Sequence, residues 1–399
     1  MNFKGKHIVL GVTGSIAAYK ACGLVSHLRQ MGAEIRVIMT EHATELVASR
    51  LFAELSGNPV AVNMFGKVTN FDVRHIALAA WADIFVVAPA TANIIGKVAS
   101  GIGDDMLSTS LISAHSPILF VPAMNTHMFD NPIVQDNMRK LHNFGYHFVD
   151  PDSGHLACNA SGKGRFPEES KIFSAMDQIL NGRGLLKGKK VLITAGGTRE
   201  AIDPVRYIGN YSSGKMGYAI ARAALREGAM VHLISTNPSL PHPEGADMEY
   251  VSSAVEMKQA VDKQYDTSDV VVMAAAVADY RPAVVADQKI KKETMTSPDL
   301  KLTLNPDILL GLGERKQNQI LVGFAAETND VIAHGREKLV RKNLDLLVAN
   351  DVSSLESGFH VDENQVSLLT PDGHVSSYPR MAKEDIGTLI IEKISSIMK

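Results

Sequence analysis

The sequence predicts an α/β protein of two doubly wound, Rossmann-like domains, each a parallel sheet with helices on both faces. Two segments carry that expectation. Gly5 to Ser15 reads GKHIVLGVTGS and Gly188 to Thr198 reads GKKVLITAGGT. Each is a short apolar run ending in small residues, the pattern of a buried parallel strand feeding a tight turn. A helix and a second strand follow each, so both halves open β-α-β, and right-handed crossovers then cover both sheet faces. A length of 399 residues agrees, because it exceeds what one core ordinarily fills.

The elements follow in order. Ser15 is placed as an N-cap, Ile16, Tyr19, Leu24, Leu28 and Met31 fall near helical spacing, and Gly32 stands where a C′ glycine belongs. Strand patterns come at EIRVIMT (34–40), IFVVAPAT (84–91) and PILFVPAM (117–124). In the second half the helix arrives after an insertion, at about 215–227, followed by MVHLIS (230–235). VVVMAAAV (270–277), QILVGFAAE (319–327) and LDLLVAN (344–350) read as further strands. Glycines in ILNGRGLLKG (179–188) interrupt the helical pattern, which sets the domains at 1–188 and 189–399. The repeated opening is explained either by duplication or by the general likeness of parallel strands.

Composition narrows the class. Hydrophobic residues make up 45% and charged residues 21%, as in ordinary globular proteins. A net charge of −3 supplies no field for gathering polyanions, so no nucleic-acid partner is expected. Two cysteines, Cys22 and Cys158, exclude a disulfide scaffold and fit a reducing compartment. No signal-peptide pattern precedes the first strand, and no apolar run nears the roughly 18–20 residues of a membrane span. The expectation is a cytoplasmic protein without a membrane partner. The histidines show no zinc-ligand spacing, so no structural metal is expected.

In such sheets ligands bind beyond the carboxyl ends of the strands. GVTGSIAAYK (11–20) puts glycines and hydroxyls at a helix N-terminus, which suits an anion as well as a tight turn with a good cap. It lacks the third glycine of a dinucleotide fingerprint. APATAN (88–93) offers small residues and Thr91 to a flat ligand or to plain packing. Asn125, in VPAMN, is either a carboxylate clamp or an Asx-type turn before THMF. His75, near a helix start, is either a base or a capping histidine. SGHLACNASGKGRFPE (153–168) reads as a mobile loop rather than a regular element, with Cys158 as a thiol that a lid would deliver.

Five motifs in order, GVTGSIAAYK, the RHIAL histidine, APATAN, PAMN and ACNASGKGR, together resemble the flavin-dependent cysteine decarboxylases, and among them the phosphopantothenoylcysteine decarboxylases. Ser15 and Asn159 stand where many relatives have glycine. The resemblance implies a flavodoxin-like unit that forms homotrimers and holds FMN non-covalently at a subunit interface. Gly14, Ser15, Thr40 and Thr91 would lie near the flavin and His75 beside the reacting centre. The substrate's cysteinyl thiol would be oxidised to a thioaldehyde, its carboxylate would leave as carbon dioxide, and the enethiol would be reduced. Asn125 would hold the carboxylate and Cys158 would donate a proton.

In the second half GNYSSGKM (209–216) fits the spacing of a phosphate loop but has Met216 where Ser or Thr is needed, and a long insertion separates it from its strand. GGT (196–198) and SSG (212–214) still supply backbone donors suited to an anion. AAAVADY ends a strand with Asp279, NPDI reads as a turn and helix start, and Lys338, Arg341 and Lys342 form one basic face. KIKK, with Lys289, is otherwise a solvated charge run.

DPVRYIGNYSSGKMG, AAAVADYRP, KIKK, NPDI, GFAAET and KNLDLLVAND together resemble the phosphopantothenate–cysteine ligases over residues 190–375. With the first half, the resemblance covers nearly the whole chain and matches the fused, two-activity bacterial arrangement. It implies CTP-dependent ligation through an acyl-cytidylate, with Mg2+ held mainly by the triphosphate and no dedicated protein metal site. Asn210 would contact the acyl-cytidylate and Lys289 would stabilise its formation or breakdown. Ala274, Ala275, Asp279, Lys289 and Asn305 would line the CTP site, together with Asp307, Ile308, Phe324, Lys338 and Lys342. The substrates would be 4′-phosphopantothenate, cysteine and CTP, and the assembly a homo-oligomer, a dodecamer of decarboxylase trimers linked by ligase dimers. The rivals are a flavin or nicotinamide oxidoreductase with a regulatory second domain, and a binding module that has lost catalysis.

Overall fold

The computed structural model describes residues 3–64, 74–155, 161–291, 299–327, 331–351 and 362–398. The chain divides into two compact units, Met1–Asn181 and Gly182–Lys399.

Unit 1 is built on β1 (His7–Val12), β2 (Glu34–Met39), β3 (Ile84–Ala90), β4 (Ile118–Pro122) and β5 (His147–Phe148). They lie in the order β2-β1-β3-β4-β5, every neighbouring pair parallel, which is the flavodoxin-like arrangement. All of β3 is buried, because helices cover both faces. Leu10, Leu24 and Leu28 pack into one core, Val9, Phe85 and Leu107 into another. Burying a leucine of this kind contributes about 1.5–3 kcal/mol. From β1 the chain runs outward to β2 and then crosses to β3, so the topology switches between β1 and β3. A cleft belongs beyond their carboxyl ends.

Two expectations change here. A 3-10 turn, Ile16–Tyr19, precedes the helix Lys20–Gln30. Ile16 and Tyr19 are 69% and 61% exposed, so only Leu24 and Leu28 of the proposed apolar face belong to the core, with Met31 packed at its edge. The tight turn rotates the first residues off the helical stripe. The second change concerns 153–168. β6 (Asp152–His155) and β7 (Ser161–Arg165) form an antiparallel hairpin, because glycines here permit close approach rather than disorder. A Cβ on Gly162 would lie 2.7 Å from Thr126, and one on Gly164, at φ +140°, would meet the carbonyl oxygen of Met124. Residues 156–160, which include Cys158, lie outside the described residues.

Unit 2 contains β8 (Lys190–Ala195), β9 (Arg199–Ala201), β10 (Tyr207–Gly209), β11 (Met230–Ser235), β12 (Asp247–Tyr250), β13 (Val270–Met273), β14 (Tyr280–Pro282) and β15 (Leu302–Leu304). It continues with β16 (Ile320–Glu327), β17 (Leu346–Asp351), β18 (Glu363–Asn364), β19 (Val366–Leu369), β20 (Val375–Ser377) and β21 (Met381–Ala382). The main sheet runs β12-β11-β8-β13-β16-β17-β19-β20. It is parallel from β12 through β17 and antiparallel at β19 and β20. The strand read over 270–277 stops at Met273, because the N–H groups beyond it turn to Thr194 Oγ1, the Gly196 carbonyl and Thr198 Oγ1. The switch between β8 and β13 again marks a cleft. Helices Lys215–Arg226 and Lys383–Ile397 pack so closely that a Cβ on Gly387 would lie 2.8 Å from the Ala219 carbonyl oxygen.

Candidate active sites

In unit 1 hydrogen bonds tie the turns after β1, β3 and β4 to one another. Thr13 Oγ1 donates to the Pro89 carbonyl at 2.7 Å and accepts from the Thr91 N–H at 3.2 Å. Ser15 Oγ donates to the Ala123 carbonyl at 3.1 Å, and the Met124 N–H donates to the Gly164 carbonyl at 3.0 Å, adding β7 to the array. Thr40 and Thr91 cap the helices that follow β2 and β3, accepting from Ala43 N and Ile94 N.

A cavity of about 970 Å³ opens beyond β1 and β3. Thr13, Gly14, Thr40 and Thr91 supply polar wall, and Met39, Val62 and Met64 supply apolar wall. That mixture suits a flat aromatic ring carrying an anionic tail. Of the residues singled out in the sequence, Gly14, Thr40 and Thr91 line it. The Ser15 hydroxyl is committed to Ala123. Asn125 caps the short helix Thr126–Phe129, its Oδ1 accepting from the His127 N–H at 2.8 Å, which orients the amide as a donor. His75, half-buried in the helix Arg74–Trp81, is not part of this wall. Sequence reasoning missed Lys97, which reaches Asp104 at 2.7 Å and Asp105 at 3.0 Å beside the cavity; only an approach across a turn, at i, i+7 and i, i+8, brings them together.

In unit 2 a cavity of about 620 Å³ lies beyond β8, β13, β16 and β17. The insertion after β8 forms the β9–β10 hairpin, and the chain then returns to start its helix at Lys215. A Cβ on Gly214 would lie 3.2 Å from the Gly196 backbone, so the strand end and helix N-terminus that a phosphate loop joins directly are here brought together in space. Gly196 itself has φ +93°, and a Cβ there would collide with Thr236 Oγ1.

Asn210 lines this cavity and donates from Nδ2 to the Ala276 carbonyl at 2.9 Å. Ala274, Ala275, Asp279, Asn305, Asp307, Ile308 and Phe324 line it too, with Lys338 and Lys342. Asn305 is clamped, its Nδ2 donating to the Ala278 carbonyl at 2.8 Å and its Oδ1 accepting from Arg281 at 2.9 Å. Asp307 caps the helix Ile308–Glu314 and lies 2.8 Å from Lys342 Nζ. Burial works against the ionised carboxylate, but Lys342, the Leu310 N–H and Arg341 outweigh it and hold the Asp307 carboxyl below its usual range. Lys289 is exposed and is not part of this wall.

Among the polar residues of this cavity, Lys383 and Asn364 escaped sequence reasoning, while Lys215 and Asn350 entered only as members of GNYSSGKM and KNLDLLVAND. Asn350 and Asn364 are 9% and 4% exposed, and their Oδ1 atoms have no hydrogen-bond partner among the described residues. Lys383, at the start of the helix Lys383–Ile397, is 6% exposed. Burial, then the neighbouring Lys215 charge, push its ammonium below the usual 10.5. The only sequence signal of Asn364 and Lys383 is a polar residue at a strand or helix end, which is common everywhere.

Two doubly wound sheets, each with a ligand-sized cleft at its switch point, define a two-site α/β protein. The Flavoprotein family model matches residues 1–181, and the model described as DNA/pantothenate metabolism flavoprotein C-terminal domain matches residues 186–398. The coenzyme A biosynthesis bifunctional protein CoaBC of Bacillus subtilis (strain 168) is 48% identical over 399 residues, covering 99% of this chain and 98% of that protein. The CoaBC protein of Vibrio vulnificus (strain YJ016) is 42% identical over 397 residues, covering 99% and 98%. Among solved structures, the C-terminal domain of a CoaBC protein is 41% identical and covers 54% of this chain and 98% of its own, with a TM-score of 0.47. The chain belongs to the family of bifunctional coenzyme A biosynthesis proteins, with a decarboxylase in the flavoprotein half and a ligase in the C-terminal half.

Proposed function

We propose that unit 2 joins cysteine to 4′-phosphopantothenate at the expense of CTP, and that unit 1, holding FMN non-covalently, converts the resulting 4′-phosphopantothenoylcysteine to 4′-phosphopantetheine. The observation that carries the ligase reading is the cleft beyond β8 and β13. It gathers Asn210, Asp279, Asp307, Lys338 and Lys342 from distant parts of the chain, and Lys215 and Lys383 stand in the same wall. Such a cationic lining suits substrates that bring a triphosphate and a phosphate monoester into one cavity.

The substrate carboxylate attacks the α-phosphorus of CTP, pyrophosphate leaves, and an acyl-cytidylate remains. The amine of cysteine then attacks the acyl carbon and expels CMP. Asn210 contacts the acyl-cytidylate and Lys289 neutralises charge as it forms. Mg2+ would be held mainly by the triphosphate, without a dedicated protein site.

For unit 1, the cavity lining fits a flavin: hydroxyl-bearing caps at one part of the wall and methionine and valine side chains at another. FMN, when bound, supplies reversible two-electron chemistry. The Gly14, Ser15, Thr40 and Thr91 turns position it, the Asn125 amide holds the departing carboxylate, and Cys158 donates the final proton. His75 stands outside its own chain's cavity wall, which supports a homo-oligomer in which a second copy brings it to the flavin. A dodecamer of decarboxylase trimers and ligase dimers satisfies that requirement.

The test is the set of product masses after incubation with phosphopantothenate, cysteine, CTP and Mg2+. Phosphopantetheine with CMP and pyrophosphate is expected. Accumulated phosphopantothenoylcysteine would overturn the decarboxylase assignment alone, and absence of condensation would overturn the ligase assignment. Cys158→Ser is expected to stop at an oxidised intermediate; full turnover by that variant would remove Cys158 from the reaction.

A further inference from the structure

Asp203 sits at the tip of the β9–β10 hairpin with its side chain 0% exposed. Its carboxylate is surrounded by donors from two segments. Oδ1 accepts from the Val205 and Arg206 N–H groups, each at 2.9 Å. Oδ2 accepts from Arg206 Nε at 2.9 Å, from Nη2 of the same guanidinium, and from the Ile290 N–H at 3.2 Å. Arg206 Nη2 also donates to the Ile290 carbonyl at 2.9 Å. Both backbone polar groups of Ile290, the residue after Lys289, are thus held by one ion pair. A further bond, from the Ala286 N–H to the Ile202 carbonyl at 3.0 Å, fastens the other end of the same segment.

The opposite end of the hairpin leads into the ligase cleft. β10 ends at Gly209, and the next residue, Asn210, lines the cavity. One buried carboxylate therefore connects the segment bearing Lys289 to the strand that delivers Asn210. The segment bearing Lys289 has no regular structure of its own: Lys289 is exposed, and residues 286–291 form no helix or strand.

We propose that Asp203, acting through Arg206, is a positioning residue for the ligase reaction, fixing residues 286–291 and hence the place from which Lys289 works. The proposal rests on the ligase reading given above. The Arg206 guanidinium comes first among the groups that hold the Asp203 carboxyl well below the usual carboxylate range, so the tether stays ionised throughout any neutral assay. The planar fork matters as well, because a guanidinium spans the carboxylate and the Ile290 carbonyl together whereas an ammonium does not.

The test uses the full chain and two readouts. The first is hydrogen exchange at the Ile290 amide, expected to be slow in the wild type and at least about tenfold faster in Asp203→Asn and in Arg206→Lys. The second is pyrophosphate released during turnover of CTP, phosphopantothenate and cysteine. It is expected to fall at least about tenfold in kcat in both variants while KM for CTP changes less than about threefold. Asp203→Glu, which keeps the charge, is expected to restore part of the rate. The two substitutions perturb the pair from opposite sides, so a folding defect in one leaves the other to decide, with the melting temperature of each recorded. Unchanged exchange at Ile290, or faster exchange with unchanged pyrophosphate release, overturns the positioning role alone. A wild-type chain that releases no pyrophosphate overturns the ligase reading, and with it the role of Lys289.

Discussion

Lys342 Nζ lies 2.8 Å from the Asp307 carboxylate, and this contact joins the end of the helix Val331–Arg341 to the N-cap of the helix Ile308–Glu314. Because Lys342 is 8% exposed while the Asp307 side chain is 43% exposed, the pair lies at the cavity wall rather than in the core. Lys342→Met is expected to cost about 1 kcal/mol after allowing for solvent on the Asp307 side. The Asp307 carboxyl is depressed below its usual 3.8, so its contribution is present above that value and fades as pH falls through the lower folded value. Denaturant midpoints of wild type and variant are therefore expected to differ at about pH 6, with the gap narrowing as pH falls below 3.8; a constant gap would separate the pair from Asp307 ionisation.

Lys383 presents the opposite case, a buried ammonium whose proton is loosened by burial and by Lys215. A bound phosphoryl group would restore that proton. Binding of CTP in alkaline buffer is expected to take up protons, read by calorimetry in buffers of different ionisation enthalpy. Lys383→Met is expected to abolish the uptake and raise KM for CTP or phosphopantothenate about tenfold, the equivalent of 1.4 kcal/mol. The substrate whose KM moves identifies which phosphate meets this end of the cavity.

Thr13 links the turns after β1 and β3 through one donated and one accepted hydrogen bond. Thr13→Val keeps the shape and removes both, at about 1 kcal/mol each. Flavin release, followed by fluorescence on dilution, is expected to show roughly tenfold weaker retention, with Thr13→Ser near the wild type. Equal retention in the valine variant would mean that the turns hold their places without the hydroxyl.

Gly196→Ala and Gly188→Ala separate backbone strain from crowding. Both positions have positive φ, but the space around Gly188 is open while a Cβ on Gly196 meets Thr236. The Gly188 change is expected to cost about 1 kcal/mol from the left-handed conformation. The Gly196 change is expected to cost about 2–4 kcal/mol and to weaken CTP binding, since Thr236 or the turn must move. Thermal midpoints and nucleotide titrations decide between them.

Most of the sheet was legible because buried parallel strands read as uninterrupted apolar runs; β1, β3 and β16 needed no partner to be seen. Their order was not legible; that order brings Asn350 to the cleft, and the β18–β21 pair brings Asn364 beside the helix that starts at Lys383. The first helix was misread at Ile16 and Tyr19, where a 3-10 turn has the same residues at a different rotation. β6 and β7 were read as loop because glycine is a poor strand former, yet here Gly162 and Gly164 serve strand packing against Thr126 and Met124. Lys289 was visible as a charge, but its tether to Asp203 spans 87 residues of sequence and left no local mark.

The main sheet of unit 2 ends on one side at β12, whose sequence is DMEY. Asp247 and Glu249 alternate along it and face His232 on β11, Asp247 at 2.7 Å. An open strand edge is a template on which another chain can add a strand and begin an aggregate. Here an added strand would lie beside Asp247 and Glu249, so the same carboxylates that hold His232 disfavour edge-to-edge pairing at β12.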